Sequence, residues 1–124
     1  MRFSNFGILF AVAAFTVSAS AADIRVVEVE PTMTADDYAT KELNSGDWSK
    51  AEAALLGAGV AKEDEVFTKL NLAFVYSSTG RTEQAVAIYQ KILASKDNPY
   101  AMTVSGEPRR VKTIAKMALL RLEK

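Results

Sequence analysis

Clustered carboxylates are the residues of this chain whose types and spacing come nearest to chemistry: the pair Asp36-Asp37 and the run Glu63-Asp64-Glu65. Two carboxylates held together can divide the roles of general acid and general base. They would have little to work with. The chain contains no His and no Cys, which removes the imidazole base, the Cys–His and Ser–His pairs and the usual zinc ligand sets. Gly57-Ala58-Gly59 is not followed by the Lys-Ser/Thr of a phosphate loop, and no calcium-loop spacing occurs. Both acidic groups stand where a helix is expected to start, and the positive end of the helix dipole accounts for them there. The expectation is a protein that is not an enzyme and needs no cofactor or metal.

The elements that would carry any site begin after residue 22. Met1-Arg2, the apolar run Phe6–Val17 and the small residues Ser18–Ala22, with Ala19-Ser20-Ala21 in the A-x-A form, have the three parts of a secretory signal peptide. The apolar run is shorter than the roughly 20 residues of a membrane span. Cleavage is expected after Ala21 or Ala22, leaving no stable membrane span. The expected compartment is exported, periplasmic rather than fully secreted. With no Cys there is no disulfide scaffold, so a core of little more than 100 residues must supply the stability.

The 15 basic and 15 acidic residues are unevenly placed. Asp23–Glu65 holds eleven acids and four bases, and Arg109–Lys124 six bases and one acid. Solvated helix faces explain this, and a basic end that meets an anionic partner is the alternative. Export argues against nucleic acid as a partner.

Internal repetition organises the rest. Gly46 and Gly80, Ala39 and Ala73, Ala51 and Ala85, and Leu55 and Tyr89 are each 34 residues apart. The second unit is clearer, with a helix expected over about 63–79 and another over about 82–95. On the latter, Ala85, Ile88, Tyr89, Ile92 and Leu93 share one face. Gly80 is placed to end the first helix and Asn98-Pro99 to stop the second. Leu72-Ala73, Tyr76, Gly80, Ala85, Tyr89 and Pro99 resemble the tetratricopeptide repeat, whose pattern of Trp, Leu-Gly, Tyr, Ala, aromatic and Pro has this period. Lys69 stands in the Trp place and Pro99 comes two residues late. The earlier unit fits at Ala39, Gly46, Ala51 and Leu55 but has Glu42 in the Tyr place.

The resemblance implies an all-α fold: antiparallel helix pairs of a short α-solenoid, about two repeats plus a C-terminal capping helix. The expected divisions are a signal peptide over 1–22, an extended N-terminal arm over 23–33 and the helical domain over 34–124. Within the domain, repeat one covers about 34–60, repeat two about 63–96, a loop 97–107 and the capping helix 108–124. Thr34 is the expected N-cap of the first helix and Pro108 the first residue of the last.

A repeat of this family offers a groove lined by the first helix of each unit. Phe67, Leu70 and Phe74 share one face there, and the sequence leaves open whether a partner protein or the chain's own arm or last helix covers them. Trp48 is expected to pack. Self-association into a homodimer is a further expectation, because solenoids usually need more repeats than this chain has. Arg109, Arg110, Lys112 and Lys116 form the candidate basic patch on the last helix. The function expected is therefore protein–protein interaction in the cell envelope. Binding of an anionic envelope polymer or membrane surface through the basic C-terminal helix is the alternative.

Overall fold

Between Glu65 and Ser78 the apolar residues do not keep to one stripe, and a helix of that kind must be covered on several sides. The computed structural model, which describes residues 20–28 and 38–123, shows how. Six helices and three short strands follow one another in the described residues. They are α1 (Ala21–Ile24), β1 (Val26–Glu28), α2 (Thr40–Ser45), α3 (Trp48–Leu56), α4 (Glu65–Ser78), α5 (Thr82–Ala94), β2 (Tyr100–Thr103), β3 (Pro108–Arg110) and α6 (Val111–Leu122). A 3₁₀ turn, Lys62–Asp64, leads into α4. The architecture is helical, and α4 is its axis. Phe67, Thr68 and Leu70 through Val75 are all buried, because α3, α5, α6, β1 and α1 pack around this one helix.

Residues 34 apart share local conformations. Gly46 and Gly80 sit at φ +74° and +82°, a left-handed conformation that lacks a penalty only in glycine. Each supports the same helix stop: Asp47 N–H donates to Glu42 C=O at 2.9 Å, and Arg81 N–H to Tyr76 C=O at 2.8 Å. Ala51 and Ala85 are both fully buried, as are Ala39 and Ala73. The units diverge at their starts. Ala39 lies at φ 57° ahead of the short α2, whereas Ala73 is in mid-helix. A left-handed alanine costs about 1–2 kcal/mol. Thr34, Asp36-Asp37, the leader up to residue 19 and the arm beyond Glu28 lie outside the described residues.

The two flanks differ from expectation. Val26–Glu28 is not simply an arm, and 97–107 is not simply a loop. β1, β2 and β3 form an antiparallel sheet in that order, with Val26 opposite Thr103 and Ala101 opposite Arg109. β2 shows no strand signal beyond the alternation of exposed Tyr100 and Met102 with buried Ala101 and Thr103. Pro108 lies in β3 and not at the start of a helix, and α6 begins at Val111. Thr103 N–H donates to Glu107 C=O and Val111 N–H to Pro99 C=O. By alternation, the amide position of Pro108 then faces away from β2. An edge strand tolerates proline in that register because no ladder bond is lost.

The opposite edge of the sheet is closed by a side chain. Asn71, fully buried on α4, accepts from Val26 N–H at 2.8 Å and donates to Val26 C=O at 2.7 Å and Tyr38 C=O at 2.9 Å. Two charged pairs staple the periphery. Arg81 Nη1 and Nη2 meet the Glu52 carboxylate at 3.2 and 2.6 Å, joining the α4–α5 turn to α3, and the guanidinium lies 4.6 Å from the Tyr76 ring centre. That hydrogen bonding holds Glu52 below the usual carboxylate range. Arg109 Nη2 meets Asp23 Oδ1 at 3.1 Å, joining β3 to α1. Burial raises the Asp23 carboxyl, but hydrogen bonds from Ser105, Ser20 and Arg109 together outweigh it and hold the group low. Depressed carboxylates favour the fold at neutral pH, and their contribution is lost as the pH falls through their folded values.

Replacing Asn71 with Ala should lower the unfolding free energy by about 3 kcal/mol, since it strands the buried N–H and C=O of Val26 and removes a hydrogen bond to Tyr38 C=O. Asn71→Asp should not rescue it, because a carboxylate cannot donate; urea unfolding of both variants is the check. Tyr89 gives a second prediction. Its hydroxyl is buried with no hydrogen-bond partner among the described residues, and burial pushes its ionisation well above the usual phenol value, against a small opposing effect of Arg121. The folded state therefore keeps a proton that the unfolded chain sheds above about pH 10, so stability falls there. Tyr89→Phe should leave stability at pH 7 unchanged or improved and should flatten the alkaline decline in melting temperature.

Candidate functional site

Phe67, Leu70 and Phe74 come together on α4, as the helical spacing requires, and they point into the protein. Their exposures are 2%, 0% and 7%. The Arg25 guanidinium carbon lies 5.4 Å from the Phe74 ring centre, and Trp48 meets the same ring edge-on at 6.0 Å. With β1 and α1 also against α4, this side of the helix is filled by the chain itself. Trp48 is partly buried against the core, as expected of a packing residue.

The four basic residues do not form one patch. Arg109 is half-buried and committed to Asp23. Arg110 turns to the outer face of the sheet, where its guanidinium carbon lies 4.2 Å from the ring centre of exposed Tyr100 and Nη1 donates to Asn98 C=O at 2.8 Å. Lys112 is half-buried, and its backbone N–H caps on Asn98 Oδ1 at 3.0 Å. Lys116 is exposed, as is Arg110. The sequence put α6 and β3 into one helix, and the change of element at Arg110 is what separates the guanidinium groups.

An open depression of about 410 Å³ lies elsewhere, between the first half of α4 and the second half of α5. Its floor is apolar: Val66 and Leu72 from α4, Ala87, Ile88 and Ile92 from α5. Lys62, Lys69 and Lys91 stand around it with Glu65 and Ser95. A second depression of about 240 Å³ adjoins it, sharing Glu65, Lys69 and Leu72 and continuing over Leu55, Leu56, Ala58 and Val60. Leu56 is 63% exposed. Lys69 Nζ is 4.0 Å from Glu65 Oε1, a weak exposed pair. Among the described residues, neither Lys62 nor Lys91 has a carboxylate within ion-pair distance. The groove therefore carries an excess of positive charge over an apolar floor.

These side chains arrive by helical geometry. Residues 62, 65, 66 and 69 rise along one strip of the turn and α4, and 88, 91, 92 and 95 along one strip of α5 and its exit. The sequence spacing shows each strip, but nothing in it says that the two strips face each other across a gap. Lys69 was the one signal available, a flexible cation in the place where the repeat pattern has a large aromatic.

Neither groove nor core assembles a reactive constellation. Among the described residues no cluster of carboxylates could hold a metal ion, and no helix is long and apolar enough to cross a membrane. Comparison with protein-family models, with curated proteins and with solved structures finds no match for the chain.

Phe74→Ala should cost about 3–5 kcal/mol of stability, as a core aromatic does, while Lys91→Glu on the exposed groove rim should stay within about 0.5 kcal/mol of the parent. Chemical unfolding of the two variants separates core from surface. Equal stability of Phe74→Ala and the parent would mean that this ring is not part of the core.

Proposed function

We propose that the protein is a non-enzymatic interaction module of the cell envelope, a short tetratricopeptide-like array that holds a segment of another protein in the groove between α4 and α5. The observation that carries this reading is an open groove whose apolar floor is formed by half-buried Val66 and Ile88 over buried Leu72, although the side of α4 bearing Phe67, Leu70 and Phe74 is packed. A cleft of a few hundred Å³ is of ligand-binding size, and its continuation over exposed Leu56 suits an elongated occupant. The matched glycine stops and buried alanines at the 34-residue period support the repeat reading. Lys69 fits it as well: with a lysine in place of the pattern's aromatic, no bulky side chain fills the space between the paired helices. The envelope location rests on the leader sequence.

The alternative, an anionic polymer or membrane surface held by the basic C-terminal helix, has less support, because Arg109 is neutralised by Asp23 and Arg110 is directed away with Tyr100. A photo-crosslinking amino acid at Ala87, exposed in the groove, should capture one other protein in intact cells, with adducts mapping to a single segment of it. The same group at exposed Thr113 on α6 should not. Equal adducts from both positions, none from residue 87, or only adducts with a second copy of this chain would each overturn the assignment.

A further inference from the structure

We infer that the segment taken up by the groove is an acidic amphipathic peptide, with apolar side chains on one face and carboxylates along its flanks. The inference rests on the groove being a protein-binding site and adds the chemistry of its occupant. Three features of the site lead to it. The floor offers apolar contact in two adjoining depressions of about 410 and 240 Å³, joined at Leu72, so the occupant inserts at least two apolar groups. The rim carries Lys62, Lys69 and Lys91 against the single carboxylate Glu65, and that carboxylate is already beside Lys69. Lys62 and Lys91 come from the two opposite walls, the turn before α4 and the end of α5. An occupant lying between them therefore meets positive charge on both sides.

Charge of this kind selects by repulsion as much as by attraction. A basic amphipathic segment would place ammonium beside ammonium over a low-dielectric floor, whereas an acidic one gains two exposed pairs. Exposed pairs contribute about 0.2–1 kcal/mol each, so the preference is modest, about fivefold, and weakens with salt. The open form of the groove and its continuation past Leu56 favour a peptide over a small anionic amphiphile, which would be held better in an enclosed cavity.

The test uses two short peptides with the same leucines at helical spacing, one carrying glutamates on its flanks and the other lysines. Binding to isotope-labelled protein isolated from cells is followed by the amide signals of Val66, Lys69, Ile88 and Lys91. The glutamate peptide should shift these signals and bind about fivefold more tightly than the lysine peptide at low salt. The gap should narrow in high salt, and the Lys62→Glu/Lys91→Glu double variant should reverse the order. Equal binding of both peptides in the groove would sink the charge argument and leave the protein-binding reading standing. Shifts centred instead on Lys112 and Lys116 would overturn the site. Dodecanoate binding where neither peptide binds would make it a site for a small anionic amphiphile, and concentration-dependent shifts without peptide would make it a contact between two copies. Either result ends the proposal. If nothing binds, the acidic-peptide inference is wrong, and the Ala87 crosslink still decides the function by itself.

Discussion

The fold turns on one buried amide. Asn71 offers one acceptor and two donors, and all three are used on backbone: both polar groups of Val26 and the carbonyl of Tyr38. Only a carboxamide side chain supplies that set of groups without a charge. The amide behaves as a strand would, pairing the outer edge of β1, and so allows a three-residue strand to exist against a helix. Through Tyr38 it also fixes the chain just before α2. Two distant parts of the sequence are thereby attached to α4 at one point, in a site where unpaired polar groups are costly.

That attachment decides which sides of α4 are available. The side bearing Phe67, Leu70 and Phe74 is used to receive β1, α1 and Trp48, and the Arg25 guanidinium covers its margin. The side bearing Leu72 and Val66 receives α5, with the end of α3 beyond Leu72, and the surface around Lys69 stays open. With Lys69 exposed on this side of α4, the groove between α4 and α5 stays open. Its apolar lining comes from Val66, Leu72, Ala87, Ile88 and Ile92, and its basic rim from Lys62, Lys69 and Lys91.

The charged staples have a different character from the amide. Glu52–Arg81 and Asp23–Arg109 lie at the surface and join elements whose apolar faces are already in contact. Both pairs are partly buried, and ion pairs this near the surface contribute modestly to stability. The fork of Arg81 onto Glu52 ties the turn between α4 and α5 to α3, beside the Gly80 stop. Asp23–Arg109 does the same for α1 against the sheet.

By itself the sequence determined the local pieces. Helical spacing set α4 and α5 nearly to their ends, the glycines at 46 and 80 set the stops, and the absence of His and Cys removed most of the chemistry a small protein can do. Each of these is decided within a few residues. That α4 is apolar on several sides required it to be covered on several sides, while what covers Phe67, Leu70 and Phe74 was left open. Tertiary structure decided everything that depends on residues meeting from afar. Val26–Glu28 becomes a strand only because Tyr100–Thr103 lies beside it and Asn71 closes its free edge. Pro108 becomes an edge residue because the ladder bonds fall on its neighbours. The four basic residues part because the chain changes from strand to helix at Arg110. Lys62, Lys69 and Lys91 look like solvated charges in the sequence, and they surround a groove only when α4 and α5 are packed, since periodicity assigns a residue to a face but not to the neighbour that the face meets.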